Sequence, residues 1–165
     1  MEEYDVIIVG AGPAGSSSAY FNAKEGKKVL LLDKASFPRD KICGDGVTGK
    51  SLTILDEMGL GDEINGIKEI SSTGVLIVAP NQKELRIDIA SPEDPFSAFS
   101  IEREIFDNIL FQKAREMIQS NGGRFKQENV LKPIIEDGIM VGVQTKENHY
   151  KAKLVIGAGG YNCPI

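Results

Sequence analysis

The sequence has no tryptophan, one histidine and two cysteines among its 165 residues. Two cysteines, Cys43 and Cys163, cannot build a disulfide framework, which favours a reducing compartment. The one histidine, His149, is interpreted as an ordinary strand residue, and with so few candidate ligands we expect neither a Ser-His-Asp triad nor a bound metal. No apolar run approaches the roughly 20 residues that a membrane-spanning helix needs.

Positive charge is also scarce, since 19 Lys and Arg face 24 Asp and Glu for a net charge of −5. This balance argues against nucleic acid as a partner. The chain runs from Met1-Glu2-Glu3 directly into an apolar segment, so no signal peptide is expected. We therefore expect a cytoplasmic location, with peripheral contact to a membrane left open. The oligomeric state is not specified by any of these features.

The strongest motif is a glycine-rich turn that follows an apolar run. Gly10, Gly12 and Gly15 have the spacing G-x-G-x-x-G, and a second apolar run ends on Asp33, 23 positions beyond Gly10. This order predicts a βαβ unit that binds a dinucleotide, because glycine lets the backbone approach a pyrophosphate at a helix N-terminus. Asp33 would accept hydrogen bonds from ribose hydroxyls and repel the 2′-phosphate of NADP. The motif does not separate NAD from FAD.

The remaining pattern predicts a sheet and several helices. Helices are expected over about 13–26, 48–58 and 104–119. In the first of them, Ala14, Ser18 and Phe21 are expected to face inward. A strand is expected near 124–130, followed by a three-stranded meander whose first turn is Asp137-Gly138.

Three successive strands interrupt the βαβ alternation. Residues 75–78 read as a buried strand, and Leu85, Ile87 and Ile89 alternate with polar residues as in a half-exposed strand. A third short strand is expected over 98–101. We interpret 71–101 as an excursion from the main sheet.

Four segments distributed along nearly the whole chain resemble the FAD-binding half of the p-hydroxybenzoate-hydroxylase-like flavoproteins, and most of all their geranylgeranyl reductase branch. The first is the glycine motif with Asp33. The second, Phe37–Gly46, is similar to the P-x-x-K-x-C-G loop of that branch. The third, Ile101–Leu110, resembles the R-x-x-F-D-x-x-L segment, and the fourth, Leu154–Gly160, resembles the I-G-A-D-G strand and turn.

The resemblance implies an α/β, Rossmann-like FAD-binding domain with a mainly parallel sheet plus a three-stranded antiparallel meander. Residues 1–70 and 102–165 would form the discontinuous FAD-binding domain. Residues 71–101 would begin the sheet of a substrate domain. Because family members are more than twice as long, the rest of the substrate domain would be absent from this chain.

The resemblance also implies roles for individual residues. Asp33 would bind the adenosine ribose, Arg103 would lie along the pyrophosphate or ribityl chain of FAD, and Val130 would offer backbone groups to the adenine. Cys43 and Gly44 would lie near the isoalloxazine ring, and Cys43 is the one candidate catalytic residue. The predicted cofactor-binding set is Gly10, Gly12, Pro13, Ala14, Gly15, Asp33, Lys34, Cys43, Gly44, Arg103, Val130 and Gly159.

Simpler interpretations remain for Cys43 and Arg103, and Gly159 departs from the family pattern. Cys43 would otherwise be an ordinary small apolar residue, and Arg103 a solvated arginine at a helix start. Gly159 stands where the family usually has Asp, so a carboxylate function there is absent or supplied elsewhere.

The implied function is reduction of carbon–carbon double bonds in isoprenoid chains of lipids or pigments, by hydride transfer through FAD. NAD(P)H is the candidate electron donor. One alternative is a flavin-dependent monooxygenase or halogenase-like enzyme. Another is a non-catalytic nucleotide-binding module or an inactive fragment, and a third is NAD as the bound nucleotide.

Overall fold

A computed structural model describes residues 2–67, 70–88 and 98–165. In chain order its elements are β1 (Glu3–Val9), α1 (Pro13–Lys24), β2 (Val29–Asp33), β3 (Gly46–Thr48), α2 (Lys50–Glu57), α3 (Gly61–Ile67), β4 (Ile70–Ser72), β5 (Gly74–Val78), β6 (Glu84–Asp88), β7 (Ala98–Ser100), α4 (Arg103–Ser120), β8 (Arg124–Gln127), β9 (Val130–Glu136), β10 (Ile139–Thr145) and β11 (His149–Gly157). The chain divides into two compact units, Met1–Asp40 with Phe106–Ile165, and Lys41–Ile105.

The first unit contains a six-stranded sheet in the order β8-β2-β1-β11-β10-β9. The four strands from β8 to β11 are mutually parallel, and β1 lies between β2 and β11, with Ile7 opposite Leu30 and Val155. The last two pairings, β11 with β10 and β10 with β9, are antiparallel. The mainly parallel α/β fold expected from the sequence is confirmed.

Burial on both faces explains the continuous apolar runs of β1 and β2. All four apolar residues of β2, Val29–Leu32, are fully buried, as expected for a central strand of a parallel sheet. Side chains on one face, including Ile7 and Leu30, share a cluster with Val143 and Tyr150 of the meander. The alternate side chains point to the opposite face, so one strand contributes to two apolar layers.

The meander β9–β10–β11 extends this sheet instead of forming a separate layer. Its first turn has positive φ at both Asp137 and Gly138, the conformation that matches the twist of a tight hairpin. The expected strand near 124–130 was wrong at its end, because β8 ends at Gln127 and Val130 begins β9.

The inward face of α1 was also predicted wrongly. Ala14 is exposed, and Ser18 and Phe21 are only half-buried. The buried residues of this helix are Gly15, Ser16, Ala19, Tyr20 and Ala23. The helix is rotated by about one position because Gly15 lies directly against the carbonyl of Gly10, a contact that apolar periodicity does not report.

The second unit contains two small sheets and two short helices. One sheet has the order β3-β7-β4 and is antiparallel, and the other is the hairpin β5-β6. The strand expected over 98–101 is confirmed as β7, and the helix expected over 48–58 is confirmed as α2. Three short elements, β3, β4 and α3, were not predicted.

The expectation that 75–78 is a buried strand was half wrong. These residues form β5, but the side chains of Val75, Leu76, Ile77 and Val78 are between 47% and 57% exposed. On β6, Leu85 and Ile87 are also exposed. An apolar run indicates a strand, but it does not show whether a second layer covers that strand. Ile89, expected in the second of these strands, lies outside the described residues.

The division into units does not test the functional domains expected from the sequence. The structural boundaries fall after Asp40 and after Ile105, whereas the expected ones fall after residues 70 and 101. Assignment of residues 71–101 to a substrate domain stays a prediction.

A polar cluster in the first unit joins the loop before β9 to the turn between β10 and β11. The carboxylate of Glu128 accepts hydrogen bonds from the Tyr150 hydroxyl (2.6 Å), the Thr145 hydroxyl (2.7 Å) and the Asn148 amide (3.1 Å). Burial and the hydrogen bond to Glu128 raise the pKa of Tyr150. Burial alone would raise the pKa of Glu128, but the three hydrogen bonds outweigh it and hold that pKa below 4.5.

This cluster predicts acid-sensitive stability. Because the pKa of Glu128 is lower in the folded state than in the unfolded one, its contribution is complete above pH 4.5 and is lost as pH falls through the folded-state value. We expect E128Q to lower the free energy of unfolding at pH 7 by about 1 kcal/mol. We also expect the variant to flatten the decline of stability below pH 4.5, measured by urea unfolding across a pH series.

E147Q is the matched control, because Glu147 is an exposed neighbour in the same turn. Some decline remains in E128Q, since the pKa values of Glu2 and Asp5 are also lowered by hydrogen bonds and nearby lysines. Parallel pH profiles for E128Q and the unmodified chain would contradict the prediction.

Candidate functional site

The turn between β1 and α1 tolerates glycine alone at its first position. Gly10 has φ of 104°, a conformation that L side chains rarely adopt. A Cβ built on Gly10 would lie 2.5 Å from the carbonyl oxygen of Ala158. The amide of Gly10 donates to Leu32 at 2.7 Å, and the amide of Ala158 donates to Val9 at 2.7 Å. The ends of β1, β2 and β11 are therefore tied together by backbone contacts.

The third glycine sets how closely α1 approaches this turn. A Cβ on Gly15 would overlap the carbonyl oxygen of Gly10. Gly12 precedes the helix with an extended backbone, and Pro13 occupies its first turn, where a missing N–H costs nothing. No side chain among the described residues caps this helix. Its first N–H groups and the positive end of its dipole are thus available to an anion.

Asp33 stabilises the turn from the end of β2. One carboxylate oxygen accepts the amide of Ala11 at 2.7 Å, and the other accepts the amide of Ala35 at 2.8 Å. Ser16, which is fully buried, donates from its hydroxyl to the Ala11 carbonyl at 2.9 Å. Both the amide and the carbonyl of Ala11 are therefore held by side-chain hydrogen bonds.

Five of the predicted cofactor-binding residues line one cleft at this end of the sheet. They are Gly10, Asp33, Lys34, Val130 and Gly159. The cleft is completed by residues that the sequence did not single out, among them Glu128, Asn129, Asn162 and Cys163. A Cβ at Gly159 would approach the Cys163 sulfur at 3.1 Å. Because Gly159 has no Cβ, the Cys163 side chain can lie close to the backbone at position 159.

A cation that carried no predicted role also lies at the start of α1. Nη2 of Arg39 lies 3.4 Å from the position that a Cβ on Gly12 would take, and 3.3 Å from Oδ2 of Asp107. Nη1 of Arg39 is buried without a hydrogen-bond partner among the described residues. A buried donor of this kind is unfavourable unless an acceptor is supplied. The sequence signal that contains Arg39 is the segment Phe37–Gly46, which resembles the P-x-x-K-x-C-G loop.

Three predicted residues belong to the second unit. Cys43 and Gly44 are exposed, and Arg103 begins α4 just before the first unit resumes. Their expected contacts with a flavin or a pyrophosphate stay predictions.

A larger cavity, of about 450 Å³, lies near the opposite end of β1 and is lined by Glu3, Asp5, Lys151 and Lys153 among others. Two ion pairs lie in its wall, Lys153 with Asp5 at 2.7 Å and Lys151 with Glu136 at 2.7 Å. We assign it no role, because size alone does not point to a ligand.

Comparison with known proteins identifies the cofactor class. The family described as "FAD binding domain" matches residues 3–165. The chain belongs to this FAD-binding family. Its cofactor is therefore FAD, and the residues above fit it: the glycine turn leaves room for a close approach, the helix start is uncapped, and Arg39 has an unused buried donor.

The relatives of this FAD-binding chain include two kinds of enzyme. It is 33% identical over 166 residues to a 1H-pyrrole-2-carbonyl-(peptidyl-carrier protein) brominase of Pseudoalteromonas luteoviolacea, covering 98% of this chain and 38% of the relative. It is 31% identical over 173 residues to digeranylgeranylglycerophospholipid reductase 3 of Methanosphaera stadtmanae, covering 97% and 40%.

A solved structure supports the same grouping. A geranylgeranyl bacteriochlorophyll reductase-like protein of Thermoplasma acidophilum has a TM-score of 0.77 at 26% identity, covering 94% of this chain and 38% of that one. The chain thus spans about two fifths of the length of these relatives. None of the helices in the described ranges is both long and apolar enough to cross a membrane. The same residues include no cluster of His, Cys, Asp and Glu able to hold a metal ion.

The closeness of Gly15 to Gly10 predicts the effect of a single methyl group. We expect G15A to lower the free energy of unfolding by about 1–3 kcal/mol, because the new Cβ overlaps the Gly10 carbonyl oxygen. We also expect it to abolish FAD binding, since the helix start must move. Urea unfolding and flavin fluorescence titration measure the two effects.

The control is G66A, in the short helix α3, where an added Cβ meets nothing within 4 Å. This variant should be neutral or stabilising by up to about 1 kcal/mol, because alanine favours a helix over glycine. Equal effects of G15A and G66A would show that the close approach is unimportant.

Proposed function

We propose that this chain is the FAD-binding part of an FAD-dependent oxidoreductase. The diphosphate of FAD would be held at the start of α1, and its adenosine half in the cleft beside Asp33 and Val130. The observation that carries the proposal is the glycine turn: three positions without a Cβ surround an uncapped helix start, and the guanidinium of Arg39, whose Nη1 is buried, lies beside it. Bound FAD supplies a flavin ring able to accept a hydride and pass it on.

Asp33 can hold the turn and the ribose together. A carboxylate offers about four lone-pair positions, and backbone amides use two of those on Asp33. The remaining two are available to ribose hydroxyls. The same charge disfavours a 2′-phosphate, so NADP is not expected at this site.

Cys43 and Gly44 are the proposed contacts of the isoalloxazine ring, and Arg103 is the proposed contact of the pyrophosphate or ribityl chain. Their segments match the P-x-x-K-x-C-G and R-x-x-F-D-x-x-L patterns described above. Cys43 is exposed, so its thiol is accessible to a cofactor or a substrate, and it is our candidate catalytic residue.

The reaction we propose is reduction of carbon–carbon double bonds in isoprenoid chains of a lipid-like substrate, with NAD(P)H as the electron donor. The loop around Cys43 and the likeness to a digeranylgeranylglycerophospholipid reductase support this assignment. A cytoplasmic location with peripheral membrane contact fits such a substrate and stays a prediction.

A second candidate is flavin-dependent halogenation or oxygenation. It is favoured by the 33% identity to a brominase across nearly the whole chain. Both reactions use the same FAD-binding half, so that half alone does not choose between them.

Cofactor binding is tested directly with the purified chain. We expect FAD to bind with one-to-one stoichiometry, and D33N to weaken it by about tenfold because a charged acceptor for the ribose is lost. Quenching of flavin fluorescence measures both. D40N is the control, since Asp40 is an exposed acid seven positions further on, and its affinity should not change. Failure of the unmodified chain to bind FAD would refute the proposal.

The reaction type is tested on the purified chain loaded with FAD. With the bound flavin reduced under nitrogen, a polyprenyl lipid should reoxidise it and gain two hydrogens per double bond, detected by mass spectrometry. C43A should slow this step by at least tenfold while FAD still binds. Fast reoxidation by oxygen, with halide or oxygen incorporated into an added aromatic substrate, would favour the second candidate instead.

A further inference from the structure

The buried ion pair between Arg39 and Asp107 connects two segments that the sequence analysis treated separately. Nη2 of Arg39 lies 3.3 Å from Oδ2 of Asp107, whose side chain is fully buried, while that of Arg39 is 19% exposed. A buried carboxylate is strongly unfavourable without a cation beside it. The position of Arg39 is therefore set by a charge on α4 as well as by its own loop.

Aromatic packing holds the same side chain from another direction. The guanidinium carbon of Arg39 lies 4.9 Å from the centre of the Phe37 ring. That ring stacks on Phe111 at 4.3 Å with an interplanar angle of 18°. Asp107 and Phe111 are four positions apart and so lie on one face of α4. One face of α4 thus carries both the carboxylate that pairs with the guanidinium and the ring that stacks on Phe37.

The guanidinium is fixed in place, yet part of its hydrogen-bonding capacity is unused. Nη1 is buried and has no partner in the part of the chain that the structure describes. Nη2 lies beside Gly12, at the uncapped start of α1. A planar guanidinium fork suits phosphate oxygens particularly well. An anion at this helix start would lie beside the guanidinium.

We propose that Asp107 is a positioning residue for the diphosphate of the cofactor, acting through Arg39. It holds the guanidinium over Gly12 so that the donors not used by the carboxylate are directed to phosphate oxygens. The inference rests on the proposed binding of FAD and adds to it a residue on α4 that acts through Arg39. The simpler alternative is that the ion pair only fastens α4 to the loop after β2.

Two ligands that differ only in their phosphates separate these alternatives. ADP and adenosine share the base and the ribose, so Asp107 should matter for ADP alone. Their dissociation constants are measured by ligand-observed NMR at fixed ionic strength, for the unmodified chain, D107N, R39Q and the double variant. We expect each single variant to raise the dissociation constant of ADP by about tenfold and that of adenosine by less than twofold.

The double variant tests whether Asp107 acts through Arg39. If it does, R39Q/D107N should bind ADP no more than about twofold more weakly than R39Q, because the two losses are not additive. E116Q is the control: Glu116 lies on the same helix but is exposed, and its removal should change neither ligand. Circular dichroism confirms that each variant is folded.

A variant that keeps the ion pair tests the proposal even if D107N does not fold. R39K retains a cation for Asp107 but lacks the second donor of the fork, so it should weaken ADP by about tenfold in a folded chain. R39K with unchanged ADP affinity would overturn the proposal. Equal weakening of ADP binding and adenosine binding by D107N would also overturn it, because that result is expected of a purely structural ion pair.

Failure of the underlying function gives a different pattern. If the unmodified chain binds neither FAD, ADP nor adenosine, the proposed function fails, and this inference fails with it. If the unmodified chain binds all three and D107N binds ADP unchanged, only the role of Asp107 is overturned.

Discussion

The structure of the first unit depends on one steric constraint, the near contact between the Gly10 carbonyl and the backbone of Gly15. Neither position has room for a Cβ: the one on Gly15 would overlap the Gly10 oxygen, and the one on Gly10 would press on Ala158. The constraint brings α1 against the end of β1 and sets which of its side chains are buried. The start of α1 has no side-chain cap among the described residues.

Backbone contacts extend this constraint to the neighbouring strands. The amide of Gly10 bonds to β2, Ala158 after β11 bonds to β1, and Asp33 holds the turn through Ala11. The ends of three parallel strands are therefore aligned to form one cleft. We propose that FAD binds at this alignment, where backbone groups predominate and the nearby charged side chains include Asp33 and Arg39.

Much of this site could be predicted from the sequence because its requirements are local. A glycine is needed where φ is positive or where two backbones meet, and an acid is needed where a strand ends beside a ribose. The Asp137-Gly138 turn was predictable for the same reason, since its backbone conformation favours those residue types. Each of these features requires particular residue types at fixed spacings, so a sequence motif can indicate it.

Other features could not be predicted, because they depend on what a segment meets in three dimensions. The run from Val75 to Val78 is apolar but exposed, since its two-stranded sheet has no covering layer among the described residues. The pairing of Arg39 with Asp107 joins residues 68 positions apart. The sequence by itself determined the glycine turn and the parallel strands, whereas the choice of FAD over NAD came from the resemblance to a flavoprotein family and the match to its family model. Only the tertiary structure decided which face of α1 is buried and which charge lies beside the helix start, because both depend on contacts between distant segments.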